Sequence, residues 1–183
     1  MNFSWPHDLE ALAQEARQVA SAAISDAHST ENSWMNGFSK EFAAELGRRH
    51  WLGMTLPVDK GGYGRSSLER FTVYETLIGL GAPIASAWFA DRQVAPALVA
   101  FGTVNQQERF LPPIIRGEST WCIGMSEPDA GSDLASLRTR AVRKGDWYIV
   151  NGSKIWTSFA NIADYCYLIC RTSLDGPNPD LLT

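Results

Sequence analysis

Several scarcities narrow this 183-residue sequence before any motif is read. It holds only three cysteines, Cys122, Cys166 and Cys170, each inside an apolar, strand-like run and none at paired metal spacing. Neither a disulfide scaffold nor a metal site is therefore expected, and the thiols read as reduced core residues. The three histidines, His7, His28 and His50, fall in the amino-terminal part with no nucleophile partner in view, so they read as surface or packing residues. Basic excess is missing: 16 Lys and Arg stand against 20 Asp and Glu, a net charge of −4, which argues against nucleic acid as the main partner. Arg138, Arg140, Arg143 and Lys144 lie close together, but three of them alternate along a strand-like run and read as its solvated face. No apolar run approaches the ~20 residues that span a bilayer. No cationic segment followed by an apolar one opens the chain, so the cytoplasm is the expected location. Internal repeats are absent as well.

What is there is ordinary for a globular protein: 45% hydrophobic and 20% charged residues, enough for one sizeable core or two small ones. Leu9, Leu12, Ala13, Ala16, Val19, Ala20, Ala23 and Ile24 recur at three and four residues, which predicts an amphipathic helix over 6–28. After a polar stretch at 29–36, a second helix over 39–49 buries Phe42 and Leu46. Gly61-Gly62-Tyr63-Gly64 lacks the Lys and Ser/Thr of a phosphate-binding loop and reads as a tight turn. Ser66 with Glu69 forms a capping box for a helix whose apolar face is Leu68, Phe71, Tyr74, Leu77 and Ile78, ending at 79–81. Two short helices are predicted over 83–93 and 96–101. Another opens near Thr103 and runs to Leu111, where Pro112-Pro113 should end it. From Trp121 the period changes to two, with strand-like runs at 121–125, 137–143, 147–150, 153–157 and 164–171. The predicted fold is α+β: an all-helical domain at 1–118, then a small antiparallel β-domain at 119–183, its last residues from 173 read as loop or frayed end.

Two stretches carry the chemistry. In the first, the apolar run 121–125 leads into Ser126-Glu127-Pro128-Asp129, where Pro128 has no N–H to continue a ladder. Ala130-Gly131-Ser132 then keeps backbone amides and hydroxyls open to an anionic or carbonyl-rich ligand. The same composition also serves plain turn chemistry, and that alternative stands. In the second, Asn151-Gly152 between 147–150 and 153–157 predicts a hairpin with a type I′ turn, whose return strand ends at Trp156. An indole followed by two hydroxyl residues suits the face and edge of a flat ring; a core tryptophan is the other reading. Glu127 and Asp133 read as acceptors of backbone N–H bonds rather than as a general base.

The run Gly124-Met125-Ser126-Glu127-Pro128-Asp129-Ala130-Gly131-Ser132-Asp133-Leu134-Ala135-Ser136 resembles the flavin-site signature of the acyl-CoA dehydrogenases. Asn151-Gly152-Ser153-Lys154-Ile155-Trp156 falls where their second flavin segment falls. Trp51-Leu52-Gly53 to Leu56-Pro57 with Gly61-Gly62-Tyr63-Gly64, and Phe110-Leu111-Pro112-Pro113 with Arg116-Gly117-Glu118, resemble earlier landmarks of that family in the same order. The resemblance implies an acyl-CoA dehydrogenase-like fold in truncated form, since members are about twice this length. It implies FAD as cofactor, an acyl-CoA substrate, an electron-transfer flavoprotein as acceptor, a place in fatty acid and lipid metabolism, and a homo-oligomer, dimer or tetramer, when complete. It further implies that Ile123, Gly124, Met125 and Ser126 line the isoalloxazine and that Gly131 and Ser132 approach the pyrophosphate or the acyl-CoA. Trp156 would pack on the ring face, and Thr157 and Ser158 would accompany it, Ser158 bonding flavin N5. The catalytic carboxylate is expected downstream of Thr183. Thr157 departs from the family pattern, where an aliphatic residue is usual, and so do Phe159-Ala160 and Asp129. A flavin monooxygenase or oxidase of the same fold and a non-catalytic partner subunit are the alternatives.

Overall fold

The computed structural model describes residues 6–25, 37–172 and 181–182. The chain divides into two compact units, Met1–Thr120 and Trp121–Thr183, each with a hydrophobic cluster of its own.

In the first unit, α1 (His7–Ser25) opens with Asp8 and Glu10 in its first turn, where the helix dipole favours negative charge. Its Leu9, Leu12, Ala13, Ala16, Val19 and Ala20 are all buried, as the three-and-four spacing requires. The expected extension to His28 and the polar stretch at 29–36 lie outside the described residues. Helix α2 (Lys40–Arg48) starts at Ser39, whose hydroxyl accepts the Phe42 N–H at 3.0 Å, and turns Phe42, Ala43 and Leu46 inward. Helix α3 (Ser67–Gly79) has both halves of its capping box, Ser66 accepting from the Glu69 amide and Glu69 from that of Ser66. These helices close around Trp51, Leu52, Met54, Val73, Leu77 and Ile84.

The residue stripe on α3 is shifted from the expected one. Thr72, Val73, Tyr74 and Leu77 are buried, whereas Leu68 and Phe71 are 48% and 53% exposed. Phe71 instead faces an open cavity of about 520 Å³ that Arg70, Tyr74, Trp88 and Arg92 also line, while Ile78, at its edge, packs on the core as expected. The two short helices are one continuous run: α4 (Ala85–Phe89) passes through a π-turn at Ala90–Val94 into α5 (Ala95–Phe101). The wider turn, with the Ala95 N–H donating to the Ala90 carbonyl, carries the chain into Pro96 without a break. Helix α6 (Val104–Ile115) likewise continues through Pro112 and Pro113. It ends one turn later, where the Gly117 and Glu118 amides reach back to the Ile114 and Pro113 carbonyls at 3.0 and 2.8 Å. The tight turn at 61–64 is as expected. The amides of Gly61, Gly62, Tyr63 and Gly64 donate to Val58, Pro57, Gly53 and Leu56 carbonyls at 3.0–3.1 Å, which leaves none for a phosphate.

The second unit holds β1 (Trp121–Gly124), β2 (Arg140–Lys144), β3 (Trp147–Asn151), β4 (Tyr165–Leu168), β5 (Cys170–Arg171) and β6 (Leu181–Leu182). Strand β1 pairs in parallel with β4, and a four-stranded sheet runs β3-β2-β5-β6. The α+β layout is as expected, but the pairing is mixed rather than antiparallel throughout, since β1–β4 and β2–β5 are parallel. The long connection from β1 to β4 supplies the crossover that parallel pairing needs. Aromatic packing helps to set the register, Trp121 lying opposite Tyr165 with ring centroids 4.9 Å apart.

The predicted hairpin is corrected by one strand. Strand β3 pairs backward with β2, Ala141 opposite Val150 and Lys144 opposite Trp147. The turn falls at Gly145-Asp146, with Gly145 at φ 64. Residues 152–157 form no strand. Gly152 has φ 157, not the left-handed value a type I′ turn needs, and a Cβ there would fall on Thr139. It is a point of close backbone approach. Of the cysteines, Cys122 and Cys170 are buried as expected, but Cys166, paired with Cys122 across the two-stranded sheet, is exposed.

Candidate functional site

Strand β1 carries Ile123, half-buried, and Gly124, buried, to the mouth of the loop. There the backbone leaves the sheet with Met125 38% exposed and Ser126 half-buried. Pro128 and Asp129 form the tip of a narrow turn closed by Glu127 N–H to Ala130 O at 2.8 Å and Ala130 N–H to Glu127 O at 3.2 Å. Gly131 and Ser132 follow it, exposed, with nothing within 4 Å of a Cβ built on Gly131.

The second stretch lies beside the first. The Ile155 amide donates to the Ser126 carbonyl at 2.9 Å. One residue earlier, the Lys154 ammonium donates to the Met125 carbonyl and to Glu127 Oε1, both at 2.9 Å. The Lys154 and Glu127 side chains are only 10% and 7% exposed. The Glu127 carboxylate also accepts the amides of Arg138 at 2.6 Å and Thr139 at 2.8 Å. Burial by itself would raise its pKa; the hydrogen bonds from Thr139, Arg138 and Lys154 outweigh that and lower it to about 2. Such a group is a permanent anion and a structural acceptor. Asp129 meets Arg138 at 3.3 Å on the open surface, where a pair contributes little.

Trp156 is not a core tryptophan: it is 86% exposed. Its backbone is left-handed, at φ 57, and Phe159 three residues on is at φ 64. For bulky side chains this costs about 1–2 kcal/mol each, and such strain gathers at functional sites. Between them lie Thr157, whose buried hydroxyl oxygen has no hydrogen-bond partner among the described residues, and Ser158, exposed, its amide donating to the Trp156 carbonyl at 3.0 Å. An open indole plane, a buried hydroxyl without a partner and a short-side-chain loop fit a flat ring with a polar edge. The structure thus brings Met125 and Ser126 together with the segment that leads into Trp156, Thr157 and Ser158. Among the described residues, Gly131 and Ser132 make no hydrogen bond to that segment.

Sequence reasoning missed the clamp through Lys154, since a single lysine in a polar run carries no periodic signal. It also missed a buried network in the helical unit. Asp91, 3% exposed within the π-turn, accepts the Gly53 amide at 2.5 Å and the Tyr74 hydroxyl at 2.8 Å. Burial raises the Asp91 pKa against these bonds, and raises that of Tyr74 well above its ordinary value.

A helical unit followed by a small mixed β unit defines a recognisable class of two-part chain. The sequence profile of the acyl-CoA dehydrogenase N-terminal domain matches residues 6–118, and that of the acyl-CoA dehydrogenase middle domain matches 122–181. The chain belongs to the acyl-CoA dehydrogenase family. It is 44% identical over 134 residues to acyl-CoA dehydrogenase FadE26 of Mycobacterium tuberculosis, which covers 73% of this chain and 33% of that protein. Among solved structures it is similar to the Tcur3481-Tcur3483 steroid ACAD, with TM-score 0.86 and 35% identity over 100% of this chain and 49% of that one. The ChsE4-ChsE5 complex of Mycobacterium tuberculosis gives TM-score 0.83 and 38% identity over 95% and 45%. A glutaryl-CoA dehydrogenase of Mycobacterium smegmatis in complex with FADH2 gives 0.79 and 26% over 97% and 46%. The chain thus spans about a third of the curated relative's length and about half that of these structures.

Proposed function

We propose that this chain supplies the amino-terminal helical domain, 1–118, and part of the flavin-binding middle domain, 119–183, of an FAD-dependent acyl-CoA dehydrogenase. The reaction is α,β-dehydrogenation of an acyl-CoA thioester, by removal of the α proton and transfer of the β hydrogen as hydride. FAD, when bound, supplies the hydride acceptor at its N5, and an electron-transfer flavoprotein takes the electrons onward. The observation that carries the reading is Trp156, exposed and held in a left-handed backbone next to the segment bonded to Ser126.

The residues divide the work. Ile123, Gly124 and Met125 form an apolar ledge, and Ser126 offers a hydroxyl to the pyrimidine edge of the ring. Donors at that edge stabilise the negative charge that reduction places there. Trp156 would cover a ring face, Thr157 would bring its hydroxyl, and Ser158 would bond at N5. Gly131 and Ser132 leave backbone amides and a hydroxyl for the pyrophosphate or the acyl-CoA. Glu127 is not the base that removes the α proton, because three donors hold it and its pKa is about 2. The steroid ACAD and the FADH2 complex among the similar structures support a flavin and an acyl-CoA; a ring-bearing acyl group is the substrate class to try first. The ChsE4-ChsE5 neighbour is a complex, which favours a second reading of this chain as one subunit of a hetero-oligomer rather than a homo-oligomer.

The test is flavin retention. Purified protein should carry or take up FAD and turn yellow. Trp156→Ala should weaken retention by about 0.5–1.5 kcal/mol, the worth of an aromatic contact beyond its buried area, at nearly unchanged melting temperature because the indole is 86% exposed. Equal retention in both forms would remove Trp156 from the site; no uptake by the parent would remove the flavin.

A further inference from the structure

We propose that Lys154 is a positioning residue for the cofactor loop, setting the separation between the 125–127 backbone and the 155–158 segment. The proposal rests on the flavin reading above and adds to it the part that holds its two stretches in place.

The geometry is specific. Among the described residues, Lys154 and its neighbour join the stretches by three hydrogen bonds: Lys154 Nζ to the Met125 carbonyl, Lys154 Nζ to Glu127, and the Ile155 amide to the Ser126 carbonyl, each 2.9 Å. No β-ladder links 125–127 to 152–157, so the ammonium takes the place of strand pairing. Its acceptors straddle Ser126. Lys154 holds the Met125 carbonyl, in the peptide before Ser126, and the Ile155 amide holds the Ser126 carbonyl, in the peptide after it, so the backbone that carries the Ser126 side chain is fixed on both sides. Glu127 is itself anchored by the Arg138 and Thr139 amides. The chain of contacts therefore runs from the start of the β2 segment, through a buried carboxylate and a buried ammonium, to the segment that presents Trp156. The lysine stem packs over the bare Gly124 backbone, its Cγ 3.4 Å from where a Cβ would stand. A buried ion pair is poor evidence of stabilisation, since desolvation of both charges offsets their attraction. Here the ammonium does something a hydrophobic pair cannot, which is to bond a backbone carbonyl inside the loop.

Positioning and plain stability separate in a double variant. Lys154→Met keeps the stem and removes the ammonium, leaving Glu127 buried without its counter-charge. Lys154→Met/Glu127→Gln leaves no unpaired charge. In the flavin-loaded protein, Lys154→Met should lose both thermal stability and flavin affinity, the latter by roughly tenfold or more, the scale of one charge-assisted hydrogen bond. The double variant removes the uncompensated charge but gives up one of the two backbone acceptors, so it should regain part of the stability and none of the affinity, and Lys154→Arg should recover part of the affinity. If the double variant regains both together, or if Lys154→Met binds FAD as tightly as the parent, Lys154 is structural only and the proposal is overturned. Amide exchange in the flavin-free protein provides the arm that does not depend on a cofactor. The Ile155 N–H should exchange at least several-fold faster in Lys154→Met and in the double variant, with β2–β3 amides unchanged in the latter. Unaltered Ile155 exchange would overturn the proposal even if the protein bound flavin. A parent that binds no FAD, with the exchange result as expected, would sink the flavin reading and leave the clamp standing.

Discussion

Glu127 and Lys154 stand 27 residues apart and meet at 2.9 Å, a contact that no pattern in the chain announces. The sequence did show that Glu127 sits in a turn-forming loop, where carboxylates accept backbone amides, and the structure gives it two. That part was legible because the chemistry is local. The lysine was not, because only the packing of residues 152–157 against the loop brings it there. Trp156 is the converse case: its type and place marked it, but whether it faced inward or outward depended on a strand that does not form. A pH prediction follows from Glu127. Its folded pKa of about 2 lies below the ordinary 4.5. A carboxyl depressed on folding contributes stability that is complete above the unfolded value and lost as pH falls through the folded one. Urea midpoints should therefore decline as the pH drops from about 4.5 towards about 2. Glu127→Gln should start lower at neutral pH and decline less over that window. Parallel declines in the two proteins would show that Glu127 does not drive the acid sensitivity.

Local chemistry decided some elements and neighbours decided others. Ser66 and Glu69 set the start of α3 within the sequence itself, and both reciprocal bonds are present. The two prolines of α6 carried a strong local stop signal, yet the helix runs through them. Proline forfeits one amide, and the Schellman-type closure at Gly117 and Glu118 ends the helix instead. Asn151-Gly152 was the strongest hairpin signal available, but β3 already pairs with β2 through Asn151, opposite Arg140. A residue that ends one ladder cannot also turn into another. Gly152 is glycine for a different reason, which supplies a test. A Cβ there would lie 2.6 Å from Thr139 Cα, a backbone atom that cannot give way. Gly152→Ala should cost about 1–3 kcal/mol, the usual range for forced overpacking. Gly131→Ala, with open space around it, should leave the unfolding midpoint nearly unchanged. Equal midpoints for the two variants would contradict the close approach at Gly152.

At the scale of the molecule, the hydrophobic residues are unevenly shared. The helical unit closes on a cluster that includes Trp51, Phe42, Leu46 and Leu77, while Ala130, Leu137 and Ile169 are the buried members of the β unit's cluster among the described residues. The change of period at Trp121 made the succession of helices and strands legible; the mixed pairing was not, because register across a long crossover leaves no trace in spacing. The same unevenness bears on activity. Dehydrogenation of a thioester begins with a weakly acidic α proton, so a carboxylate must be held within hydrogen-bond reach of that carbon. On the cofactor loop, Glu127 is committed to three donors with its pKa at about 2, and Asp129 is turned to Arg138 on the surface. We propose, from the family resemblance, that the base lies beyond residue 183. The 183-residue chain by itself, supplied with excess FAD, is accordingly expected to show no dye reduction with short, medium, long, branched or ring-bearing acyl-CoA thioesters. Turnover that appears only when a second polypeptide carrying the rest of the family's fold is added would place the base there. Sustained turnover by the chain alone that vanishes in Glu127→Gln would instead make Glu127 the base, and would require that substrate binding break the Lys154 clamp and raise the carboxylate's pKa far above about 2.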